Sequence, residues 1–305
     1  MAATQEAAVG SFGFVGLGDM GGPMAANLTA AMAQAGLPVA VYDKAGTAER
    51  APPGAAIAAS VADLAGQAET IFLSVPDGRI SALVLDEIVA AGPRRTTAVI
   101  DLSTVGVDQA AALAERATAA GIAFADCPVS GGRAKALAGT ITMIFGGPAA
   151  LLARHRAALD AMGGNIFHVG ETPGQGSAMK LLNNFLSACN MAAASEAVTF
   201  GLRQGLAMQT ILDVVNVSTG MNTATADKFP RCVVSGSNST GFRAELLAKD
   251  VNLYLAQAKR NGTPVALSSK VAAICDAVVA DQPDADMIGL WLDVQARAGR
   301  PDSGD

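Results

Sequence analysis

Short apolar runs alternate with alanine-rich stretches through the first half of the chain. SFGFVGL, VAVYD, TIFLSV, TAVIDLS, IAFADCPV, TITMIFGG and NIFHVG all fall between residue 11 and about residue 170. Nearly continuous apolar runs of this length suit strands buried on both faces, and the helices between them supply the covering layers of a mostly parallel sheet. After residue 173 the rhythm changes. Apolar positions then recur at helical spacing over 175–203, 208–217, 243–261, 264–281 and 285–297, with Gly220, Pro230 and the SGSNSTG segment marking loops. The pattern predicts an α/β fold: an N-terminal doubly wound parallel sheet, a long interdomain helix and an all-α C-terminal domain. The expected boundaries are a flexible leader over 1–11, a sheet domain over 12–173, the joining helix over 174–203, a helical domain over 204–298 and a polar tail over 299–305.

The joining helix poses the first chemical question. AMKLLNNFLSACNMAAASEAV, residues 178–198, is apolar enough for a domain seam, yet carries Lys180, Asn183 and Asn184 in its first turns. A lysine ammonium withdrawn from water is costly unless it is paired, shifted in pKa or placed in a working cleft. Asn184 follows Lys180 by four residues and shares its helix face, whereas Asn183 is turned away by about 100° and reads as a supporting residue.

Composition narrows the function classes. Hydrophobic residues make up 51% of the 305 and charged residues 16%, which describes a folded globular chain long enough for two domains. A net charge of −6 offers no basic face for nucleic acid. No apolar run has membrane-spanning length, and MAATQEAAVGS lacks a signal-peptide core, so a cytoplasmic protein without membrane partners is expected. Cys127, Cys189, Cys232 and Cys275 are scattered, and His155 and His168 are the only histidines. Neither set supplies a metal site or a histidine-based triad.

FVGLGDMGG places Gly16, Gly18 and Gly21 in GxGxxG spacing between a strand and a helix. The first glycine permits the turn, the second lets a pyrophosphate approach the backbone, and the third allows close helix packing. Leu17, Asp19 and Met20 complete the loop. Asp43, ending the next strand, can accept hydrogen bonds from ribose hydroxyls and repels a 2′-phosphate, favouring NAD over NADP. Lys44 beside it works the other way, as a point charge for phosphate. Ser130, Gly131 and Gly132 read equally as a plain turn or as a carboxylate cradle of one hydroxyl and two open backbone N–H groups. Thr104 and the Val75-Pro76 loop fall at the carboxyl ends of strands, where such sheets bind ligands.

GFVGLGDMGGPMAANL, DLST (101–104), DCPVSGG with AGTITMIFGG (126–147), GQGSAMKLLNN (174–184) and FRAELLAKDVNLYLAQA from Phe242 occur in this order. Together they resemble the β-hydroxyacid dehydrogenases, the family of 3-hydroxyisobutyrate and tartronate semialdehyde dehydrogenases, over residues 12 to about 297. The departures are small: TAAMAQAG is about one helical turn longer than usual, Cys127 replaces a common alanine, and Val107 a common proline.

The resemblance implies a Rossmann domain, a helical domain that helps subunits associate as a homodimer or homotetramer, and hydride transfer between a nicotinamide and a small carboxylate-bearing 3-hydroxy acid. It implies Lys180 as general acid and base. Burial in a cleft would lower its pKa toward usefulness. Ser130, Gly131, Gly132 and Asn184 would hold the substrate, with Thr104 beside both nicotinamide and substrate. Lys249 would reach the cofactor side and Asp250 the substrate, unless the pair merely forms a solvated helix face, a reading that weighs more for Asp250, and Phe242 would pack over the substrate or into the core. The 6-phosphogluconate dehydrogenases share the architecture but have a longer helical domain and a histidine after the lysine. Imine reductases generally replace the lysine, and a non-catalytic dinucleotide-binding regulator would be expected to lose it.

Overall fold

The computed structural model describes residues 10–299. Apart from residues 10, 11 and 299, the expected leader and tail lie outside that range. The chain divides into two compact units, Met1–Lys180 and Leu181–Asp305.

The first unit is built on β1 (Phe12–Val15), β2 (Val39–Tyr42), β3 (Ala56–Ile57), β4 (Thr70–Leu73), β5 (Ala98–Asp101), β6 (Ala123–Asp126), β7 (Val129–Ser130), β8 (Ile141–Gly146) and β9 (Gly163–Gly170). They form one sheet in the order β3-β2-β1-β4-β5-β6-β8-β7, with β9 paired to β8. Strands β1 to β6 are all parallel, as the apolar runs predict. β8 runs antiparallel to β6 and β7. Burial on both faces explains the unbroken apolar runs. Phe12, Phe14, Val41, Phe72 and Ile100 join one core, while Ala40, Ile71, Leu73 and Val99 point into the other. Phe72 lies between Phe12 and Phe14, with ring centroids 6.1 and 6.3 Å away.

Helices α1 (Gly21–Gln34), α2 (Val61–Gln67), α3 (Gly78–Ala90), α4 (Val107–Ala119), α5 (Gly132–Leu137) and α6 (Ala149–Met162) occupy the connections. The TAAMAQ segment is helical and closes α1, where an extra turn was expected. Buried His155 on α6 is held at both nitrogens, by Thr70 Oγ1 and the Leu151 carbonyl, each at 2.7 Å. It is a satisfied core histidine.

Helix α7 (Gln175–Arg203) begins in the first unit and continues into the second. The second unit further contains α8 (Met208–Asn216), a π-helical segment (Ala224–Val234), α9 (Ala244–Arg260), α10 (Ala266–Asp281) and α11 (Gly289–Ala298). Its core gathers Phe229 against Trp291, edge to face at 5.1 Å, with Leu247, Val251, Val271 and Val278. Pro230, expected to mark a loop, sits inside the π-helical segment. Proline cannot donate to a helical ladder and crowds the turn before it, and the chain coils here in the wider π form. The helix expected from 285 starts at Gly289 because Asp286 is occupied otherwise. Its carboxylate accepts from the N–H groups of Thr240, Gly241 and Phe242 at 3.0, 2.9 and 3.2 Å, and from Ile288 N–H at 3.1 Å. Among the described residues no helix is long and apolar enough to cross a membrane.

Candidate active site

The glycine loop leaves β1 between its two neighbours. Gly16 N–H donates to the Tyr42 carbonyl at 2.9 Å, and Gly16 adopts φ +94°, a conformation that favours glycine. A Cβ on Gly21 would run into the Gly16 carbonyl, so α1 begins as close to the turn as a backbone allows. Gly18 differs from both. A Cβ there would meet nothing within 4 Å. That open approach is the cradle a pyrophosphate needs, and the residues present therefore suit a dinucleotide.

Asp43, at the end of β2, accepts Leu17 N–H at 2.6 Å and Ala45 N–H at 2.7 Å, tying the glycine loop to the next strand. Arg50 lies 3.8 Å from the same carboxylate. Leu17, Gly18, Asp19, Arg50 and Arg133 line a pocket of about 360 Å³. Met20 precedes α1 and is partly buried. Val75 N–H donates to Ser103 Oγ at 2.9 Å, which holds the Val75-Pro76 loop beside the DLST segment carrying Thr104. Thr104 is partly buried three residues beyond β5.

Ser130 lies on β7, where it pairs with Thr142, and Gly131 and Gly132 turn into α5 at φ +139° and +75°. The strand expected to run unbroken through Pro128-Val129 thus stops at Asp126 and resumes as this short piece. Asp126 does something the sequence did not announce. Its carboxylate accepts Gly174 N–H at 2.7 Å and Ser177 N–H at 2.5 Å, capping the start of α7 from the edge of β6. A carboxylate at a helix N-terminus meets free N–H groups and the positive dipole end. Lys180 follows Ser177 by three residues on this anchored turn and is buried. Asp101, register partner of Asp126 on β5, is fully buried, and burial pushes its carboxyl above the ordinary range. Burial pushes Asp126 up as well, opposed by its two N–H donors.

In the second unit Asn184 Nδ2 donates to Asp250 Oδ2 at 2.6 Å, both groups being buried. Lys249 Nζ stands 3.3 Å from the other oxygen of that carboxylate. Asp250, expected at the substrate, is thus engaged by Asn184 and Lys249, and it fixes which way the Asn184 amide points. Asn183 Nδ2 donates to Asn184 Oδ1 at 3.3 Å. Phe242 is partly buried against the helical core. Among the described residues no cluster of His, Cys, Asp or Glu could hold a metal ion. Reasoning from sequence passed over Arg50, Arg133 and Asp126. Arg133 directly follows the Ser-Gly-Gly turn, and that adjacency was the available signal.

Two family models match. The NAD-binding domain of 6-phosphogluconate dehydrogenase covers residues 11–170. The NAD-binding domain of NADP-dependent 3-hydroxyisobutyrate dehydrogenase covers 174–291. The chain is 38% identical to a 3-hydroxyisobutyrate dehydrogenase of Pseudomonas aeruginosa over 83% of its length and 87% of the relative's. It is 33% identical to the 2-(hydroxymethyl)glutarate dehydrogenase of Eubacterium barkeri, over 86% and 87%. A solved 3-hydroxyisobutyrate dehydrogenase of Mycobacterium tuberculosis, studied with L-serine, superposes with TM-score 0.84 at 30% identity, covering 93% of this chain and 99% of that one. The glycine cradle, the block order and these matches agree, and the chain belongs to the β-hydroxyacid dehydrogenases, nicotinamide-dependent oxidoreductases acting on hydroxy acids.

Proposed function

We propose that this dehydrogenase acts on a small 3-hydroxy acid of the 3-hydroxyisobutyrate type, or on its semialdehyde, with Lys180 moving the proton. The reading is carried by the four-residue spacing that sets Lys180 and Asn184 on one face of helix α7, with Asp126 capping the start of that helix and Asp250 orienting the Asn184 amide. Gly16, Leu17, Gly18, Asp19, Met20 and Gly21 would hold the pyrophosphate, Asp43 the ribose, and Val75, Pro76 and Thr104 would wall the nicotinamide end, with Lys249 assisting. When bound, the nicotinamide supplies the hydride acceptor or donor. In the oxidative direction neutral Lys180 takes the hydroxyl proton while the C–H bond gives up its hydride, leaving the carbonyl. In reduction the ammonium returns the proton. Ser130, Gly131 and Gly132 would receive the substrate carboxylate, Asn184 would hold the hydroxyl or the acid, and Phe242 would close over the substituent.

Asp43 supports NAD as the preferred cofactor, while Lys44 and Arg50 would lend NADP partial acceptance. Exposed Leu186 and Phe200 on α7 support a homodimer or homotetramer, and the scattered free thiols suit a cytoplasmic setting. The test is turnover of 3-hydroxyisobutyrate, 3-hydroxypropionate, glycerate and serine with NAD and with NADP, followed by formation of the reduced cofactor. At least one acid should be oxidised. Cofactor binding without turnover of any of them would point instead to a dinucleotide-binding regulator.

A further inference from the structure

The polar residues in the first half of α7 continue past the two that the proposed function uses. Ser187 is three residues beyond Asn184 and in helical phase with Lys180, and Asn190 follows by another three. This stripe ends on a lysine. Lys228, in the middle of the π-helical segment, donates from Nζ to Ser187 Oγ at 3.1 Å and to Thr223 Oγ1 at 3.3 Å. Asn190 Nδ2 reaches the same Thr223 hydroxyl at 3.4 Å.

Lys228 is only 9% exposed, and both of its partners are neutral hydroxyls. Asp227, beside it in sequence, is paired with Arg231 at 3.2 Å. An ammonium carries three N–H donors, and among the described residues Lys228 places only two of them. Burial pushes this ammonium below the ordinary lysine range, with Asp227 opposing and Arg231 adding to the effect. A charge buried beside neutral partners weakens a fold and persists most readily where an opposite charge arrives from outside. π-helical turns also recur at functional sites.

We propose that Lys228, Ser187 and Thr223 form a subsite for a second carboxylate of the substrate, so that the favoured hydroxy acid is a dicarboxylate. The inference rests on the reading that Asn184 contacts the substrate. Asn184 and Ser187 have Cβ atoms about 5–6 Å apart on the helix face, a separation that a short aliphatic arm between two acid groups spans. Each hydroxyl can turn its hydrogen toward an arriving carboxylate while the ammonium donates its third N–H. A phosphate dianion would call for a second cation, and Arg231 is committed to Asp227.

The probes are glutarate and butyrate, which differ by one carboxylate and undergo no reaction. Their affinities for the NAD-saturated protein are measured by calorimetry in the wild type, Lys228→Met and Lys228→Arg. The wild type should bind glutarate at least ~10-fold more tightly than butyrate, since hydrogen bonds to a charged group are among the stronger ones. Lys228→Met should lose that preference, and Lys228→Arg should keep most of it. Lys228→Gln, which retains a donor for the two hydroxyls, serves in place of the methionine variant if that one does not fold. Equal binding of the two acids by the wild type, or a preference that survives in Lys228→Met, would overturn the subsite. Tighter binding of 3-phosphonopropionate than of glutarate would overturn its assignment to a carboxylate. Glutarate bound through Lys228 by a chain that oxidises no hydroxy acid would refute the dehydrogenase reading and leave the subsite standing. Turnover of 3-hydroxyisobutyrate without a glutarate preference would refute the subsite alone.

Discussion

Alanine at Gly18 and alanine at Gly21 should separate cofactor binding from folding. A Cβ at Gly21 falls on the Gly16 carbonyl oxygen, with the carbonyl carbon at 3.0 Å and Ser74 Cβ at 3.1 Å. None of these is the free end of a flexible side chain, so the start of α1 must move. Overpacking of this kind costs about 1–3 kcal/mol, which lowers Tm by roughly 2–12 °C at ~2–4 °C per kcal/mol. At Gly18 a Cβ meets nothing within 4 Å, and the residue is not among the glycines with positive φ. Alanine there should leave the fold intact and even add about 0.4–1 kcal/mol through the unfolded chain. The methyl group does occupy the space a pyrophosphate must enter. Losing one charge-assisted contact of ~1.5–3 kcal/mol weakens NAD binding about 10- to 100-fold. Scanning unfolding of the free protein and calorimetry with NAD read the two effects separately. Unchanged NAD affinity in Gly18→Ala, or an equal loss of Tm in both variants, would contradict these roles for the two glycines.

Two further outcomes follow from the same geometry. Asp43→Ser should narrow the preference for NAD over NADP in kcat/KM, since it removes the charge that opposes a 2′-phosphate and leaves Arg50 and Lys44 in place; an unchanged ratio would mean the ribose is read elsewhere. Asp101 has its folded pKa raised by burial, Asp126 adding to the effect, so between the ordinary carboxylate value and the raised one the folded state binds more protons than the unfolded state. Stability from this group is therefore fully present below the unfolded pKa and is lost as pH rises through the folded one. Asp101→Asn, whose amide oxygen can still accept Ser103 N–H, should raise Tm at neutral pH and lose that advantage toward about pH 4, and equal gains at both pH values would contradict the assignment.

The parts that were legible in the sequence are those whose cause is local. α7 occupies 175–203 as its period indicates, and the glycine loop sits between β1 and α1 because its spacing is a backbone requirement. The Lys180–Asn184 face follows from helical phase alone. The parts missed are those whose cause lies far along the chain. Asp126 caps α7 from 48 and 51 residues away, and Asp250 reaches Asn184 across 66. The two-residue strands β3 and β7 are too short to carry a period, and the antiparallel course of β8 depends on which strand edge is open. Lys228 drew no notice because a lysine between Asp227 and Arg231 looks solvated until burial is known.

In the proposed mechanism Lys180 carries the proton. The most direct test of that role is Lys180→Ala, with turnover and NADH affinity measured on the same preparation. kcat should fall roughly 10²- to 10⁴-fold, the span for a positioned acid or base, with NADH affinity and Tm close to those of the unmodified protein. Near-normal turnover in that variant would contradict it.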